Sequence, residues 1–369
     1  MTALLSTPER DVKALLLLSR TPGIRKNGLQ PFFEAGESPS EILERIKAEG
    51  KPAWKEALAA TSRVFDPAEE ISRLEELGIQ LIPFGEERYP VLLKESSDPP
   101  LVLYVRGEHL ESDQAAFAVV GSRHPSLYGL EQAKRFSKRL SELGLTLVSG
   151  FARGIDREAH EAALGVRWGR TIAVLGSGID VIYPKEHQAL YEEIAEKGAL
   201  VSEFALGTPP LAENFPKRNR IIAGLSLGVL VIEAHSRSGS LITAHLAAEE
   251  GREVFALPGR VDQLGSRGTH GLIREGAGLV EFPEEIFQAL SPQLLPLIPS
   301  LTPQDSRSSS LALEPEEEEF LGNFQRRPMA PAEIVGEGKC TAPKVASLLT
   351  QLELKGALRR RLDGRYEKV

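Results

Sequence analysis

A single cysteine, Cys340, in 369 residues excludes an internal disulfide framework, and seven scattered histidines form no cluster with structural-zinc spacing. Long apolar runs are missing too. No stretch approaches the roughly 20 residues needed to cross a bilayer. The N-terminal MTALLSTPERDVKALLLLSR is broken by polar and charged residues where a signal peptide would be continuously apolar. These absences lead to the expectation of a cytoplasmic protein with no membrane contact, no bound metal and no redox chemistry. Positive charge is also in deficit. The formal charge is -8, whereas a sequence-independent binder of polyanions needs a positive face. The deficit is nevertheless local: Glu314 and Glu316 to Glu319 gather acid in one place, while Lys217, Arg218 and Arg220, then Lys355, Arg359 to Arg361, Arg365 and Lys368, gather base elsewhere.

Several catalytic signatures are absent. There is no GxxxxGK[ST], so no lysine is placed for a β/γ-phosphate, and GSGIDV (176–181) does not complete G-x-G-x-x-G after its strand. ATP and NAD are disfavoured, and no cofactor is expected. The serines of GSR and SGS have no neighbouring base, no pair of carboxylates stands apart from ordinary helix-face acids, and His160 in REAH reads as a capping or core histidine. The sequence therefore points to a binding protein rather than an enzyme.

With 41% hydrophobic and 26% charged residues, the chain can bury a full core across two or three domains. Residues 1–80 read as a small helical domain, with Leu15, Leu16, Leu18, Ile42 and Ile46 at helical spacing and breaks at TPG, EAGESPS and GKP. Within it, LLLLSRTPGIRKNGLQPFFEAG has the layout of a packing hairpin, or of a helix-hairpin-helix unit whose turn amides face a phosphate. Residues 81–290 read as an α/β domain. Short apolar runs at FAVV (117–120), LTLV (145–148), TIAVL (171–175), ALVSE (199–203), VLVIE (229–233), EVFAL (253–257) and GLVEF (278–282) alternate with amphipathic helices. That alternation predicts βαβ crossovers and a doubly wound parallel sheet. Residues 291–319, rich in proline and serine and ending in acid, read as a linker. In 320–369 the pattern of helices, then two strand-like runs about an Asp-Gly turn in ALRRRLDGRYEKV, describes a winged helix with Thr341 to Leu354 in the recognition position. Lys344 is the only cation in that span, so the tail reads as a folding or partner module.

In an open parallel sheet the ligand crevice lies at the carboxyl ends of the strands. There the sequence places GSRHPS (121–126), SGFARGID (149–156), GSGID (176–180) and EAHSRSGS (233–240). Small residues at helix starts expose amides that suit phosphate. Arg123 and Arg153 add charge that a tight turn does not need. The segment FPKRNRIIAG (215–224) opens a further helix at the same edge, with three cations in four residues where they oppose the helix dipole. That placement calls for an anion nearby. The expected site is a phosphate groove with Phe215 as a stacking face for a base, built from Phe215, Lys217, Arg218, Asn219, Arg220 and the loop residues Ser238, Gly239 and Ser240.

The succession YPVLLKESSDPPLVLYVRG (89–107), VVGSRHPSLYG (119–129), VSGFARGIDREAH (148–160), FPKRNRIIAGLS (215–226), EAHSRSGSLITA (233–244) and REVFALPG (252–259) resembles the DNA-processing protein A (DprA/Smf) family over about 200 residues, with the motifs in order. The resemblance implies an extended Rossmann-like domain, flanked by an N-terminal sterile-alpha-motif-like helical domain and a C-terminal winged-helix-like domain. It implies a homodimer that binds single-stranded DNA, protects it and helps load the RecA recombinase during natural transformation, with single-stranded DNA-binding protein as a further partner. By motif it assigns Ser122, Arg123, Gly150, Arg153, Lys217, Arg218 and Arg220 to the DNA groove. It also implies dimerisation through the end of the α/β domain, where LIREGAGLVEFPEEIF supplies Ile273, Leu279 and Phe287 as apolar contacts. His270 stands where the family more often has asparagine. Two other readings rest on less. Related folds hydrolyse nucleotide N-glycosidic bonds, and Glu233 with Arg218 imitates their acid and arginine, but the chain has no PGG-x-GT loop. A winged-helix transcription regulator rests on the tail alone.

Overall fold

The computed structural model describes residues 7–297 and, beyond them, residues 320, 321, 344, 345, 348, 349, 352, 358–360 and 365–368. The chain divides into two units, Met1–Ile298 and Pro299–Val369.

The first unit opens with five helices: α1 (Glu9–Arg20), α2 (Lys26–Glu34), α3 (Pro39–Glu49), α4 (Pro52–Val64) and α5 (Pro67–Glu76). The last three begin on proline, whose missing N–H removes a donor that has no partner there. Ser38 and Glu41 close a capping box on α3, and the Asp66 carboxylate accepts the Ala68 N–H at the start of α5. Their apolar faces do not close a core of their own. Leu15, Leu18, Ile42, Ile46 and Leu74 pack in one cluster with Leu81, Val102 and Tyr104 of the sheet and with Phe151 and Tyr191. The break expected at residue 80 thus falls at the first residue of strand β1, and the helices share buried surface with the sheet.

Two strands that the sequence reading left out come next: β1 (Gln80–Pro83) and, after the short helix α6 (Val91–Lys94), β2 (Val102–Gly107). They pair antiparallel with each other, and β2 pairs antiparallel with a strand of the main sheet. The alternating part then runs β3 (Ala116–Val120), α7 (Leu127–Glu142), β4 (Thr146–Ser149), α8 (Ile155–Leu164), β5 (Thr171–Val174), α9 (Gln188–Lys197), β6 (Ala199–Ser202), α10 (Asn214–Gly224), β7 (Gly228–Val231), α11 (Gly239–Glu249), β8 (Glu253–Ala256), α12 (Arg267–Arg274), β9 (Gly278–Leu279) and α13 (Pro283–Leu294). Strands β3 to β9 pair in parallel with one another, and the whole sheet has the order β1-β2-β6-β5-β4-β3-β7-β8-β9. From β3 the chain winds outward through β4, β5 and β6, then returns to β3's other side as β7 and winds the opposite way. The switch point therefore lies between β3 and β7.

Helices cover both faces. Ala116, Ala118 and Val120 of β3 pack in one cluster with Ile221 and Ala244 of α10 and α11, while Phe117 and Val119 pack with Phe136 of α7, Ala159 of α8 and Ile286 of α13. Alternate residues of a strand point to opposite faces, and here both sets are aliphatic or aromatic because both faces are buried.

Two expected boundaries move. Of GLVEF only Gly278 and Leu279 pair with β8, because the Glu281 and Phe282 amides donate to the Glu285 carboxylate and start α13. The linker expected from residue 291 starts later, since α13 continues to Leu294 with Leu290 and Leu294 buried. Its remainder, 298–319, lies outside the described residues.

In the second unit β10 (Leu358–Arg360) and β11 (Tyr366–Lys368) form the expected antiparallel pair, with Leu358 opposite Lys368. Val345, Leu348, Leu349 and Leu352, at the spacing of one helical face, bury against Phe320, Leu321 and Leu358. The rest of the expected recognition helix lies outside the described residues.

Candidate nucleic-acid interface

The loops after β3, β4 and β7 and the first turn of α10 meet at the switch point around an open cavity of about 660 Å³. Ser122 and Arg123 follow β3, Ala152 and Asp156 follow β4, Phe215 and Arg218 come from α10, and Ser238 to Ser240 start α11. A narrower cleft beside it is lined by Arg123, Gly150, Arg153, Tyr183 and Phe215.

Close backbone approach explains the glycines here. The Ile155 N–H donates to the Ser122 carbonyl at 3.1 Å, so the loops after β3 and β4 touch. Gly154 lies at that contact with φ of +77°, and a Cβ there would stand 2.4 Å from the Ser122 carbonyl oxygen. A Cβ on Gly150 would meet Asp156 Oδ2 at 2.7 Å and Arg218 Nη2 at 2.8 Å. Phe151, between them, holds a positive φ of 56° with its ring buried against His160, His187 and Tyr191.

His160 is a core histidine, as expected. Its Nδ1 hydrogen-bonds Thr171 Oγ1 at 2.6 Å, and burial pushes its pKa down to about 3, so the ring stays neutral. His270 is half-buried and hydrogen-bonds the Gly259 carbonyl through Nε2, which gives it a place in loop geometry away from the groove.

The cations of FPKRNR separate into three roles, which answers why an acidic chain gathers them here. Lys217 is exposed and pairs with Glu213 at 3.3 Å, one turn back. Arg218 is 3% exposed and forms the floor of the cavity. Its Nη1 donates to the Gly150 carbonyl at 2.6 Å and also to the Val174 carbonyl, with the buried Asp156 beside it. Burial pushes the Asp156 carboxyl up and the Arg218 guanidinium down to about 10, which leaves the arginine charged at neutral pH. Arg220 is turned away from the cavity: it pairs with Glu203 and Asp98 and donates to the Asp98 carbonyl. The anions that offset the helix dipole are thus supplied within the protein. Of the three, Arg218 lines the cavity while bracing the Gly150 and Val174 carbonyls, whereas Arg220 lies outside the lining and spends its donors on Asp98 and Glu203.

Arg123 lines both the cavity and the narrower cleft. It is exposed and lies over the Phe215 ring, 5.0 Å from its centroid. Arg153 is exposed on the other side of the cleft, held by Glu186 at 2.5 Å and 6.0 Å from the Tyr183 ring. Phe215 is half-buried, 6.0 Å from Tyr183, and fills the space over Gly176, where a Cβ would meet it at 2.8 Å. Asn219 donates to the Gly239 carbonyl at 3.2 Å and fixes α10 to the start of α11. Ser238 caps α11 by accepting from the Ser240 N–H, while Gly239 has open space around its Cα. Sequence reading missed Tyr183, His235 and Arg237, all lining this edge. Arg237 sits inside the quoted SRSGS loop and was detectable as a cation at a helix start.

The acid and arginine that an N-glycosidase reading needs do not meet. Glu233 accepts from the Ser126 N–H at 2.8 Å and from its hydroxyl, whereas Arg218 donates to the Gly150 and Val174 carbonyls. Among the described residues no group of three acid, histidine or cysteine side chains is placed to hold a metal ion, and no helix is long and apolar enough to cross a membrane.

At the outer edge of the sheet, Leu279 on β9 is 51% exposed and Phe282 is 54% exposed, with Arg135 over the Phe282 ring. Ile273 and Phe287, expected beside Leu279 as contacts, are half-buried against the unit's own core.

The model of the family described as DNA recombination-mediator protein A matches residues 80–291, and that of the DprA winged helix domain matches residues 304–364. Protein Smf of Escherichia coli K12 is 47% identical over 289 residues, covering 77% of this chain and 76% of the relative. The crystal structure of DNA processing protein A from Streptococcus pneumoniae superposes with a TM-score of 0.67 at 36% identity, covering 76% of this chain and 98% of that one. DNA processing protein A of Helicobacter pylori, whose structure concerns its single-stranded DNA binding, superposes with a TM-score of 0.52 at 30% identity over 58% of this chain and 96% of that one.

Proposed function

The chain belongs to the DNA recombination-mediator protein A (DprA/Smf) family, and from that premise we propose that it binds single-stranded DNA across the switch-point groove and helps load the RecA recombinase onto it. One observation carries this reading: the loops that follow β3, β4 and β7, the start of α10, the exposed Arg123 and the Phe215 ring converge on a single open cavity. Amides and cations suit a run of phosphates, and an aromatic face accepts any base. The H. pylori relative's binding of single-stranded DNA supports the same ligand. Natural transformation, a cytoplasmic location and an exchange with single-stranded DNA-binding protein belong to the same proposal, and the mode is binding without catalysis. It is tested by RecA filament assembly on single strands precoated with single-stranded DNA-binding protein. Added protein should shorten the lag, and a lag unchanged at saturation would contradict the loading role.

Dimerisation is part of the proposal. Among the described residues, the outermost strand β9 leaves an unpaired edge beside the exposed Leu279 and Phe282, the kind of apolar edge that a second copy covers. A two-fold pair would put two grooves on one strand and raise avidity. Since Leu279 lies outside the core, Leu279→Asp should leave the fold intact while weakening self-association at least about tenfold, which is ~1.4 kcal/mol. Light scattering would read this as a monomer. A dimer of unchanged mass in the variant would contradict the placement.

A further inference from the structure

We propose that Arg220 is a positioning residue that acts through Asp98 and Glu203 to set how α10 meets α11, and that segment 91–100 is the bracket holding both groove helices. This inference rests on the groove reading above.

Arg220 spends its donors away from the cavity. Nη2 reaches Glu203 at the end of β6, Nη1 reaches the Asp98 carbonyl, and Nε lies 3.5 Å from Asp98 Oδ2. Glu203 and Asp98 are half-buried, so their carboxylates have little water to solvate them and depend on the guanidinium. Asp98 is also the point where the N-terminal helices join the network: Arg25, at the start of α2, lies 3.3 Å from the same Oδ2.

The bracket has further fixings on both helices. A Cβ on Gly224, the last residue of α10, would meet Leu93 Cδ1 at 2.7 Å, so that helix end lies directly on α6. At the far end of α11, Glu250 accepts the Ser97 N–H at 2.9 Å, and Arg252 donates to the Leu92 carbonyl at 3.0 Å. Pro99 and Pro100 restrict the backbone leaving the bracket, and the Tyr89 hydroxyl ties down the Pro100 carbonyl at 2.8 Å. The opposite ends of these two helices carry Phe215 and Lys217 on α10 and the Ser238 cap on α11. A change in the angle between the helices therefore displaces groove elements that Arg220 never touches.

A phosphate contact and a strut differ in their salt dependence. Losing a contact with single-stranded DNA makes the plot of log affinity against log salt shallower by about 0.7. Losing a strut lowers affinity and leaves that slope alone. The test is fluorescence anisotropy with a labelled oligothymidylate at several salt concentrations, well below the melting temperature of each variant. Arg220→Lys and Asp98→Asn should each weaken binding about fivefold with an unchanged slope. The double variant should bind about as Arg220→Lys alone, since both changes break one network. Arg220→Lys binding like the native chain, Arg220→Ala making the slope shallower by one contact, or Asp98→Asn without effect would each overturn the proposal. Arg123→Ala, run beside them, separates the two claims. If it changes neither affinity nor slope, the groove reading fails; if it lowers both while Arg220→Lys is silent, only the bracket fails.

Discussion

Arg218→Met should destabilise the first unit by about 3–5 kcal/mol, because it leaves two buried carbonyls, those of Gly150 and Val174, without this donor and the buried Asp156 without a nearby cation. For a unit of this size the expected fall in Tm is roughly 10 °C. The deficit should depend on pH. Burial already raises the Asp156 carboxyl, and without Arg218 the folded state keeps a proton that the unfolded chain releases above about pH 4. Stability of the variant relative to the native chain should therefore fall as pH rises from 4 toward 8. Adding Asp156→Asn should remove most of that pH dependence. Thermal melts followed by circular dichroism at pH 4.5 and 7.5 check this, and a variant melting within 2 °C of the native chain at both values, a margin well inside about 1 kcal/mol, would show that Arg218 is no strut.

Phe215→Ala should weaken single-strand binding by about 5- to 150-fold, the effect of losing a stacked base worth ~1–3 kcal/mol. The ring is half-buried, with Arg123 at 5.0 Å on its face and Gly176 behind it, so it presents a supported surface rather than a free side chain. No charge is lost, so the salt slope should stay where it was. Affinity within twofold of the native chain would place the base elsewhere, and a slope made shallower would mean that Arg123 had lost its phosphate together with its support.

The parallel part of the sheet was legible because strands buried on both faces are continuous aliphatic runs, and FAVV, TIAVL and VLVIE are such runs between glycine loops. LVLYVRG at 101–107 carries the same signal, but it pairs antiparallel with β1 and β6, with three strands between it and β3, so the βαβ rhythm did not include it. The positions of Ser122, Arg123, Gly150 and Phe215 at one edge followed from topology, since loops at carboxyl ends of parallel strands must converge. The fates of Arg218 and Arg220 did not. Whether a cation faces solvent or a carbonyl depends on which way one helix is turned, and PKRNR contains every third and fourth residue needed for either outcome. Asp98 and Glu203, distant in sequence and adjacent in space, decide it for Arg220, and the Gly150 and Val174 carbonyls decide it for Arg218. Likewise Ile273 and Phe287 look like surplus apolar surface in a linear reading, and the fold uses them against its own core while leaving Leu279 and Phe282 outside.

The central claim is that single-stranded DNA lies in the groove with one phosphate on Arg123, which lines it, and another on Lys217, exposed near the start of α10 beside the lining and paired with Glu213. The most direct test is the salt dependence of oligothymidylate affinity for the native chain and for the Arg123→Ala, Lys217→Ala double variant. The account predicts weaker binding with a log–log slope shallower by about 1.4, two single-strand phosphate contacts. Equal slopes for the two proteins would contradict it.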